Sequence, residues 1–459
     1  MGHWSSESFF YHIYPLGFCG ALYKNDLYSA PVNRLQKLCG WIDHIKSLGV
    51  NALYLGPIFE STYHGYDTAD YFKVDRRLGD NDSFRHISAE LHRKGFRLIL
   101  DGVFNHTGRN FWAFKDVLTH RENSAYRSWF AGLDFSRNNQ FNDNLSYEGW
   151  NGHYDLVKLN LNNPLVKAHI FAAVKMWIEE FNIDGLRLDA ADCIDISFLK
   201  ELSSFTKNIR SDFWLLGEVI HGDYRNWVNP GTLDSVTNYE AYKGLYSSHN
   251  DNNYFEIAYT LKRQFAENGI YKDHALYNFS DNHDVNRITS TLKNQAHLFP
   301  LHCLLFTMPG VPSIYYGSEW ALKGSKQNGN DTFLRPNLEL EEMLRNENHS
   351  EHSAGLQKVI NMLANIRHNS TALKSGSYKE LYVSHQQLAF IRKDQQETML
   401  IILNSSDKPV SLELNLPAEF NASGFTDLLN SSETFQLRNN KLKIEKLWPN
   451  WARILRSWN

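Results

Sequence analysis

Long apolar runs and clusters of basic residues are both missing from this sequence. No segment approaches the ~20 consecutive apolar residues of a membrane-spanning helix, so no membrane partner is expected. The N-terminal segment has no basic head followed by an apolar run, so no signal peptide is predicted. The formal net charge is only −4 at pH 7. A charge of this size excludes the strong positive field that is typical of nucleic-acid-binding proteins, and we expect no nucleic-acid partner.

Cysteine is also scarce, with 4 residues in a chain of 459. Cys19, Cys39, Cys193 and Cys303 are scattered, and their spacing matches neither a metal site nor a redox motif. A disulfide-stabilised scaffold is therefore excluded. We expect the four thiols to be reduced and buried, which favours a cytoplasmic location.

Aromatic residues, in contrast, are abundant. They make up 14% of the chain, while hydrophobic residues at 42% and charged residues at 21% are ordinary for a globular protein. Sugar rings stack on aromatic faces, but large protein cores also use these side chains. The composition alone leaves both interpretations open.

Predicted strands and helices alternate over about 360 residues. About eight strand–helix repeats predict an α/β protein, a (β/α)8 TIM barrel with insertions. From about Ser377 the pattern changes to short alternating strands separated by polar turns, as in an antiparallel sheet. The predicted domains are barrel segments 1–106 and 161–376, a small domain inserted after the third strand at 107–160, and a C-terminal β-sandwich at 377–459.

One predicted strand carries an arginine and an aspartate at its end. The segment 181–193 contains a short buried strand, and Arg187 and Asp189 stand two positions apart, on the same side of it. A guanidinium beside a carboxylate lowers the carboxylate's pKa and keeps it ionised, which suits a nucleophile. A buried structural ion pair is the alternative interpretation.

Three further strand ends are rich in polar residues, at 101–106, 217–219 and 279–284. In a barrel, the C-terminal ends of the strands meet on one face, so Asp189, Glu218 and Asp284 are expected to share one pocket. Glycoside hydrolysis needs one carboxylate as nucleophile and one carboxylic acid to protonate the leaving oxygen. Crowding by the other two carboxylates raises the pKa of the third, which makes it a usable acid.

Taken in order, these four segments resemble the four motifs of the α-amylase family, glycoside hydrolase family 13. The resemblance covers nearly the whole chain and implies that Asp189 is the nucleophile, Glu218 the general acid/base and Asp284 the stabiliser of the transition state. It also implies a set of residues that hold the sugar, and these are His64, Tyr66, His106, Arg187, His283 and Arg287. Asp101 and Asn105 are expected to brace the site.

The resemblance is closer to the neopullulanase and cyclomaltodextrinase branch than to calcium-dependent α-amylases. Lys158 stands where many α-amylases carry an aspartate that binds calcium, and an ammonium cannot ligate a cation. We therefore expect no cofactor and no calcium at this position, with Lys158 satisfying local buried carboxylates instead. A calcium ion in the Asn-rich segment 138–144 is the alternative.

Two features depart from that branch. It usually has an additional N-terminal β-domain, whereas the first barrel strand is predicted here to begin near Phe9. After the nucleophile, the residues at 190–193 are Ala-Ala-Asp-Cys, where the branch carries an Asn-Glu pair. These positions lie on the leaving-group side, so the resemblance does not fix the preferred leaving group.

The resulting prediction is a retaining α-glucoside hydrolase that acts on α-1,4 bonds of linear or cyclic maltodextrins, and activity on their α-1,6 bonds is left open. An α-glucan oligosaccharide is then the only partner expected. The alternatives are a transglycosylase or an α-1,6-glucosidase of the same family, and a catalytically silent carbohydrate-binding barrel. Substrate length and oligomeric state are left open.

Overall fold

Eight parallel strands form the centre of the fold. The computed structural model describes residues 3–327, 329–345, 353–417 and 422–458. The first six strands pair in chain order, each with the next. The first strand also pairs with the eighth, and the eighth pairs with the seventh. A backbone bridge between Thr237 and Tyr277 closes the ring, which confirms the predicted barrel. The strands are Phe10–Ile13, Ala52–Leu55, Arg97–Gly102, Gly185–Leu188, Trp214–Gly217, Ser235–Val236, Tyr277–Phe279 and Val311–Tyr315.

Helices follow the strands, and local sequence fixes where several of them begin. Asp80 accepts a hydrogen bond from the backbone N–H of Ser83, whose side chain accepts one from the backbone of Asp80, and this capping box starts the helix Asn81–Arg93. In the described part of the chain, no helix combines the length and apolarity needed to cross a bilayer. The longer helices are Lys37–Ser47, Asn81–Arg93, Pro164–Glu180, Ile196–Ile209, Tyr239–Asn250, Tyr254–Phe265, Leu298–Thr307 and Ser353–His368; the shorter ones are Pro15–Phe18, Trp112–His120, Ile288–Thr291, Leu340–Arg345 and Thr371–Ser375.

The C-terminal region is antiparallel, as predicted. A six-stranded sheet and a two-stranded sheet share a small apolar core to which Ile402, Phe425 and Leu442 contribute. The larger sheet contains Ser377–Val383, Gln387–Lys393, Thr398–Asn404, Trp451–Trp458, Gly424–Asp427 and Thr434–Gln436, and the smaller one contains Val410–Asn415 and Lys441–Leu447.

A small three-stranded sheet follows the third barrel strand. It consists of His106–Gly108, His153–Lys158 and Gly149–Trp150, and the register places His106 opposite Lys158. The inserted segment is therefore joined to the barrel beside a predicted site residue. A second hairpin, Phe59–Ser61 with Thr68–Val74, follows the second barrel strand.

All four cysteines are unpaired, as expected, but they are not all buried. Cys19 and Cys303 are buried, Cys39 is partly exposed, and Cys193 is exposed. The burial prediction was therefore wrong for Cys193 and in part for Cys39. Cys193 lies in a short turn of 3-10 helix, Ala191–Cys193, at the open end of the barrel rather than in the core.

Candidate active site

The three predicted carboxylates lie at the C-terminal ends of barrel strands. Asp189 directly follows the fourth strand, Glu218 directly follows the fifth, and Asp284 lies five residues beyond the seventh. Asp189 and Glu218 are nearly buried, whereas the side chain of Asp284 is 35% exposed. The strands thus bring together three acidic groups, although the first, Asp189, and the last, Asp284, are 95 residues apart in sequence.

The Arg187 guanidinium connects three of the acidic side chains. Its Nη1 atom donates to Asp189 Oδ1 at 3.0 Å and to Asp101 Oδ1 at 2.8 Å, and its Nη2 atom lies 2.8 Å from Glu218 Oε1. Arg187 is itself buried. Because charged groups in such an enclosure are costly unless paired, this cation makes it feasible to hold several carboxylates together.

The turn after Asp189 links it to Glu218. Ala190 adopts a left-handed backbone with φ of 44°, which is uncommon for a residue with a Cβ atom. This conformation aims the backbone N–H of Ala190 at Glu218 Oε2, at 3.0 Å. Local strain of this kind is retained where surrounding contacts hold it, and the bond from Ala190 to Glu218 is such a contact.

Burial and crowding shift the titration of this pair. Burial raises the pKa of the Asp189 carboxyl well above its usual range; the Arg187 guanidinium opposes this shift and the Glu218 charge adds to it. The expectation that Arg187 gives Asp189 a lowered pKa was therefore wrong, because burial outweighs the guanidinium. Burial also raises the pKa of Glu218, against the opposing effect of Arg187. Both carboxyls therefore lose their protons at a higher pH than isolated carboxyls do, and a double displacement requires one ionised carboxylate beside one protonated carboxyl.

Asp284 has a different environment. Its Oδ2 atom lies 2.9 Å from His283 Nε2, and its Oδ1 atom accepts a hydrogen bond from Arg335 Nη2 at 2.9 Å. Burial raises the pKa of Asp284, but His283 and Arg335 lower it by more, so the net pKa lies well below the usual carboxyl range. Asp284 is thus held ionised.

Arg335 was not predicted from the sequence. It lies in the loop after the eighth strand, packs over the Tyr14 ring at 4.6 Å, and donates through Nε to the backbone carbonyl of His283 at 3.0 Å. Its sequence neighbourhood matches none of the four motifs. The only available signal was its place in a loop that follows a barrel strand.

Asp101 forms a polar support beneath the site, as its predicted bracing role requires. Besides the bond from Arg187, Asp101 Oδ2 accepts hydrogen bonds from Tyr54 at 2.8 Å and from Tyr66 at 3.0 Å. The Tyr66 hydroxyl also contacts His283 Nε2, and the two rings stack at 5.4 Å. These bonds fix the Tyr66 ring at the edge of the carboxylate cluster.

The remaining predicted histidines lie beside this cluster. His106 Nε2 is 3.8 Å from Asp189 Oδ2, and Asn105 Nδ2 lies 3.2 Å from His106 Nδ1. Burial lowers the pKa of His106 to about 3, so the ring is neutral and can donate one hydrogen bond. The side chain of His64 is one-third exposed, and its Nδ1 atom lies 3.6 Å from Asp67 Oδ1.

Arg287 does not lie with the other predicted sugar-binding residues. Its side chain is completely buried, and its guanidinium donates to the backbone carbonyls of Tyr316 at 2.6 Å and Leu334 at 2.9 Å. It also packs over the rings of Tyr315 and Tyr316. The prediction that Arg287 contacts a sugar was therefore wrong, because backbone carbonyls behind the site engage its charged end.

Lys158 is less buried than predicted. Its Nζ atom lies 3.0 Å from Glu148 Oε2, and the two side chains are 40% and 56% exposed. The expectation that Lys158 neutralises buried carboxylates was wrong, since its partner is at the surface. The position still does not fit a calcium ion, because an ammonium occupies the place of a ligand oxygen.

The Asn-rich segment also engages its oxygens internally. Asn138 Oδ1 accepts from the backbone of Asn144 at 2.9 Å, and Asn139 Oδ1 accepts from the backbone of Phe141 at 2.8 Å. Both carboxylate oxygens of Asp143 are bound to Arg109, at 2.8 and 2.9 Å. Within the described ranges, no group of three or more His, Cys, Asp or Glu side chains has the arrangement of metal ligands. This loop does not fit a calcium ion as it stands.

A parallel eight-stranded barrel with Asp189, Glu218 and Asp284 at one end is the arrangement expected of a glycoside hydrolase. Comparison with known families gives the particular group. The alpha-amylase catalytic-domain family matches residues 32–399, and the maltogenic amylase C-terminal domain matches residues 378–445. The chain belongs to the alpha-amylase family.

Individual relatives agree with this assignment. The chain is 31% identical over 425 residues to a cyclomaltodextrinase from a Bacillus species, covering 88% of this chain and 73% of that one. It is 31% identical over 488 residues to neopullulanase 2 from Thermoactinomyces vulgaris, covering 99% and 78%. Among solved structures, the cyclic alpha-maltosyl-(1→6)-maltose hydrolase from Arthrobacter globiformis has a TM-score of 0.81 at 26% identity and covers 99% of both chains. The predicted family, and its relation to cyclomaltodextrinases and neopullulanases, is confirmed.

Proposed function

We propose that this protein hydrolyses α-1,4 glucosidic bonds of maltodextrins or cyclic maltodextrins with retention of anomeric configuration. The observation that carries this proposal is the contact of one buried guanidinium, that of Arg187, with both Asp189 and Glu218. An arrangement of one nucleophile and one acid beside the same sugar is what double displacement needs. The names of the relatives support an oligosaccharide of this class as substrate.

The proposed reaction has two steps. Asp189 attacks the anomeric carbon and forms a glucosyl ester, while Glu218 gives its proton to the departing glycosidic oxygen. Glu218 then removes a proton from water, which attacks the same carbon, releases the α-anomer and regenerates the Asp189 carboxylate. The ionised Asp284 opposes the positive charge that develops on the sugar ring.

Four other side chains hold the reacting sugar in this proposal. Tyr66 offers its ring face, and His64, His106 and His283 supply ring nitrogens for hydrogen bonds to sugar hydroxyls. No cofactor takes part. We also propose that calcium is not required, because Lys158 and the Asn138–Asn144 segment both lack free ligand oxygens in a suitable arrangement.

Cleavage of α-1,6 bonds is the second candidate activity. It is favoured by the likeness to a cyclic alpha-maltosyl-(1→6)-maltose hydrolase over 99% of both chains. We place the activity in the cytoplasm. A further relative, the intracellular maltogenic amylase of Bacillus subtilis, 29% identical over 391 residues, supports this location.

A product analysis tests these proposals. The protein is incubated with maltotriose, cyclodextrins, pullulan, isomaltose and starch, and the products are separated and their early anomeric form is recorded by proton NMR. Release of the α-anomer from maltotriose or cyclodextrin supports the main proposal. Early β-anomer rules out double displacement, and activity on isomaltose alone favours the α-1,6 candidate. Products longer than the substrate indicate transglycosylation, and no products from any substrate indicate a silent binding barrel.

A further inference from the structure

A buried histidine borders the carboxylate cluster from inside the barrel, and the proposed reaction gives it no role. His12 is the third residue of the first barrel strand and is almost completely buried. The register places it opposite Tyr54 on the second strand and Tyr315 on the eighth. It lines the same small cavity as Glu218 and His283, so it belongs to the layer of side chains next to the site.

His12 contacts two rings that hold the acidic groups in place. It lies nearly flat on Tyr54, with ring centroids 4.1 Å apart and planes inclined by 17°, and Tyr54 donates to Asp101 at 2.8 Å. Its second neighbour is His283, at a centroid distance of 5.2 Å and an interplanar angle of 88°. One of these two imidazoles therefore presents its edge to the face of the other.

The surroundings of His283 indicate which ring presents its edge. The His283 ring is nearly parallel to the rings of Tyr14 and Tyr66, at 14° and 10°, so its faces are turned towards these tyrosines. Its Nε2 atom lies 2.9 Å from Asp284 Oδ2. Its Nδ1 atom is buried and has no hydrogen-bond partner in the described part of the chain. The edge that carries Nδ1 is thus left to meet the His12 ring.

His12 is a neutral ring in this position. Burial lowers the pKa of His12 well below its usual value, and the charges of His283 and Arg187 lower it further, although Asp284 opposes them. A neutral aromatic ring has an electron-rich face, which attracts N–H groups and cations. The attraction is largest where water is excluded, as it is around these two buried rings.

We propose that His12 is a positioning residue, whose ring face accepts the Nδ1–H group of a doubly protonated His283 and holds this imidazolium beside Asp284. The inference rests on the proposed function, in which the ionised Asp284 opposes the charge that develops on the sugar. The contact leaves the Nε2–H group of His283 for Asp284 and the sugar. His12 acts on the reaction only through His283.

Two substitutions of His12 test whether the ring face matters. His12→Leu keeps an apolar side chain but has no π face, and we expect it to lower kcat on maltotriose about tenfold, the loss for one desolvated contact between a cation and a ring. KM should stay within twofold, because His12 does not contact the substrate. His12→Phe should recover most of the lost kcat, since phenylalanine restores the face without the ring nitrogens.

His302→Leu is the matched control. His302 is also fully buried, its Nε2 atom has no partner in the described ranges, and burial lowers its pKa to about 4. Its Nδ1 atom bonds to the backbone of Leu298, within its own helix. This variant should keep the parent's kcat, whatever happens to its melting temperature. An unchanged kcat in His12→Leu, or equal losses in His12→Leu and His12→Phe, would overturn the proposal.

Nitrogen NMR keeps this test separate from the proposed reaction. In protein labelled with 15N-histidine, a His283→Gln variant assigns the His283 signals. We expect both ring nitrogens of His283 to carry a proton at neutral pH, and the Nδ1 proton to be shielded by the ring current of His12. His12→Leu should remove this shielding and His12→Phe should restore it.

The two readouts separate the contact from the reaction. A protein that shows the shielded Nδ1 proton but cleaves no glycoside would refute the proposed function and keep the contact. Cleavage by a protein whose His283 carries one ring proton, or whose His283 signals are the same in His12→Leu, would remove the contact and keep the proposed function.

Discussion

Replacement of Arg335 by methionine probes the environment that keeps Asp284 ionised. The change removes the hydrogen bond to Asp284 at 2.9 Å and the bond to the carbonyl of His283 at 3.0 Å, but it keeps an unbranched side chain to pack on Tyr14. His283 then remains as the one described partner of the Asp284 carboxylate oxygens.

The expected loss of activity follows from the geometry of the bond between Arg335 and Asp284. A hydrogen bond between charged groups contributes about 1.5–3 kcal/mol, and the lower end applies because the Asp284 side chain is 35% exposed and water replaces part of the loss. About 1.5 kcal/mol of lost transition-state stabilisation corresponds to a roughly tenfold lower kcat/KM.

The same substitution should change how the stability of the fold depends on pH. Burial raises the pKa of Asp284, but His283 and Arg335 bring it well below the usual range, so losing Arg335 raises the pKa of Asp284. A depressed carboxyl pKa stabilises the fold above the unfolded pKa, and that stability is lost as the pH falls through the folded pKa. The melting temperatures of parent and variant should therefore differ near neutral pH and converge in acid.

The assay is the initial rate on maltotriose across pH, with melting followed by circular dichroism. Asp331→Asn is the control, because Asp331 is the other carboxylate bound to Arg335, at 3.0 Å, and its loss leaves the contact with Asp284 in place. A less than twofold change in kcat/KM for Arg335→Met, or a difference in melting temperature between parent and variant that stays the same from neutral to acid pH, would refute the reasoning.

Three further outcomes are expected. Asp189→Asn should lower turnover by several orders of magnitude with an unchanged melting temperature, because an amide cannot form the glucosyl ester; activity within about tenfold of the parent would remove Asp189 from this role. EDTA should change neither activity nor melting temperature, and a large melting shift that calcium restores would contradict the metal-free proposal. Arg287→Met should lower the melting temperature clearly, because two buried carbonyls lose their donor, while KM for maltotriose stays constant; a raised KM with unchanged melting would return Arg287 to the sugar site.

The barrel and its acidic face were predictable because both follow from periodic patterns in the sequence, the alternation of strands and helices and the period of two within a strand. A buried strand with Arg187 and Asp189 two positions apart puts both side chains on one side, and parallel strands bring their ends together. The structure places Asp189, Glu218 and Asp284 in this way, and Tyr66, His106 and His283 lie beside them. The order of the strands along the chain was sufficient to predict that these side chains lie together.

Arg335, Arg287 and Lys158 depend on loops, and sequence order does not determine loop paths. Arg287 follows the seventh-strand motif closely, but a backbone N–H at the next residue, Ile288, is held by Asp281, and the chain turns away there. Arg335 reaches Asp284 from 51 residues further along the chain. The exposure of Lys158 depends on how the inserted segment packs against the barrel. The residue pattern of a single strand does not predict that packing.

The shortness of the sixth barrel strand affects how firmly Glu218, the proposed acid, is held in place. This strand spans two residues, and the ring closes through the Thr237–Tyr277 bridge and the bond from Asn238 N to Tyr277 O at 2.9 Å. The Thr237 hydroxyl also accepts a bond at 3.0 Å from Val219, the residue after Glu218. Loss of the Thr237 contacts would release the segment that carries the acid without requiring the whole fold to open. A substitution here can abolish turnover in a protein whose melting curve is unchanged.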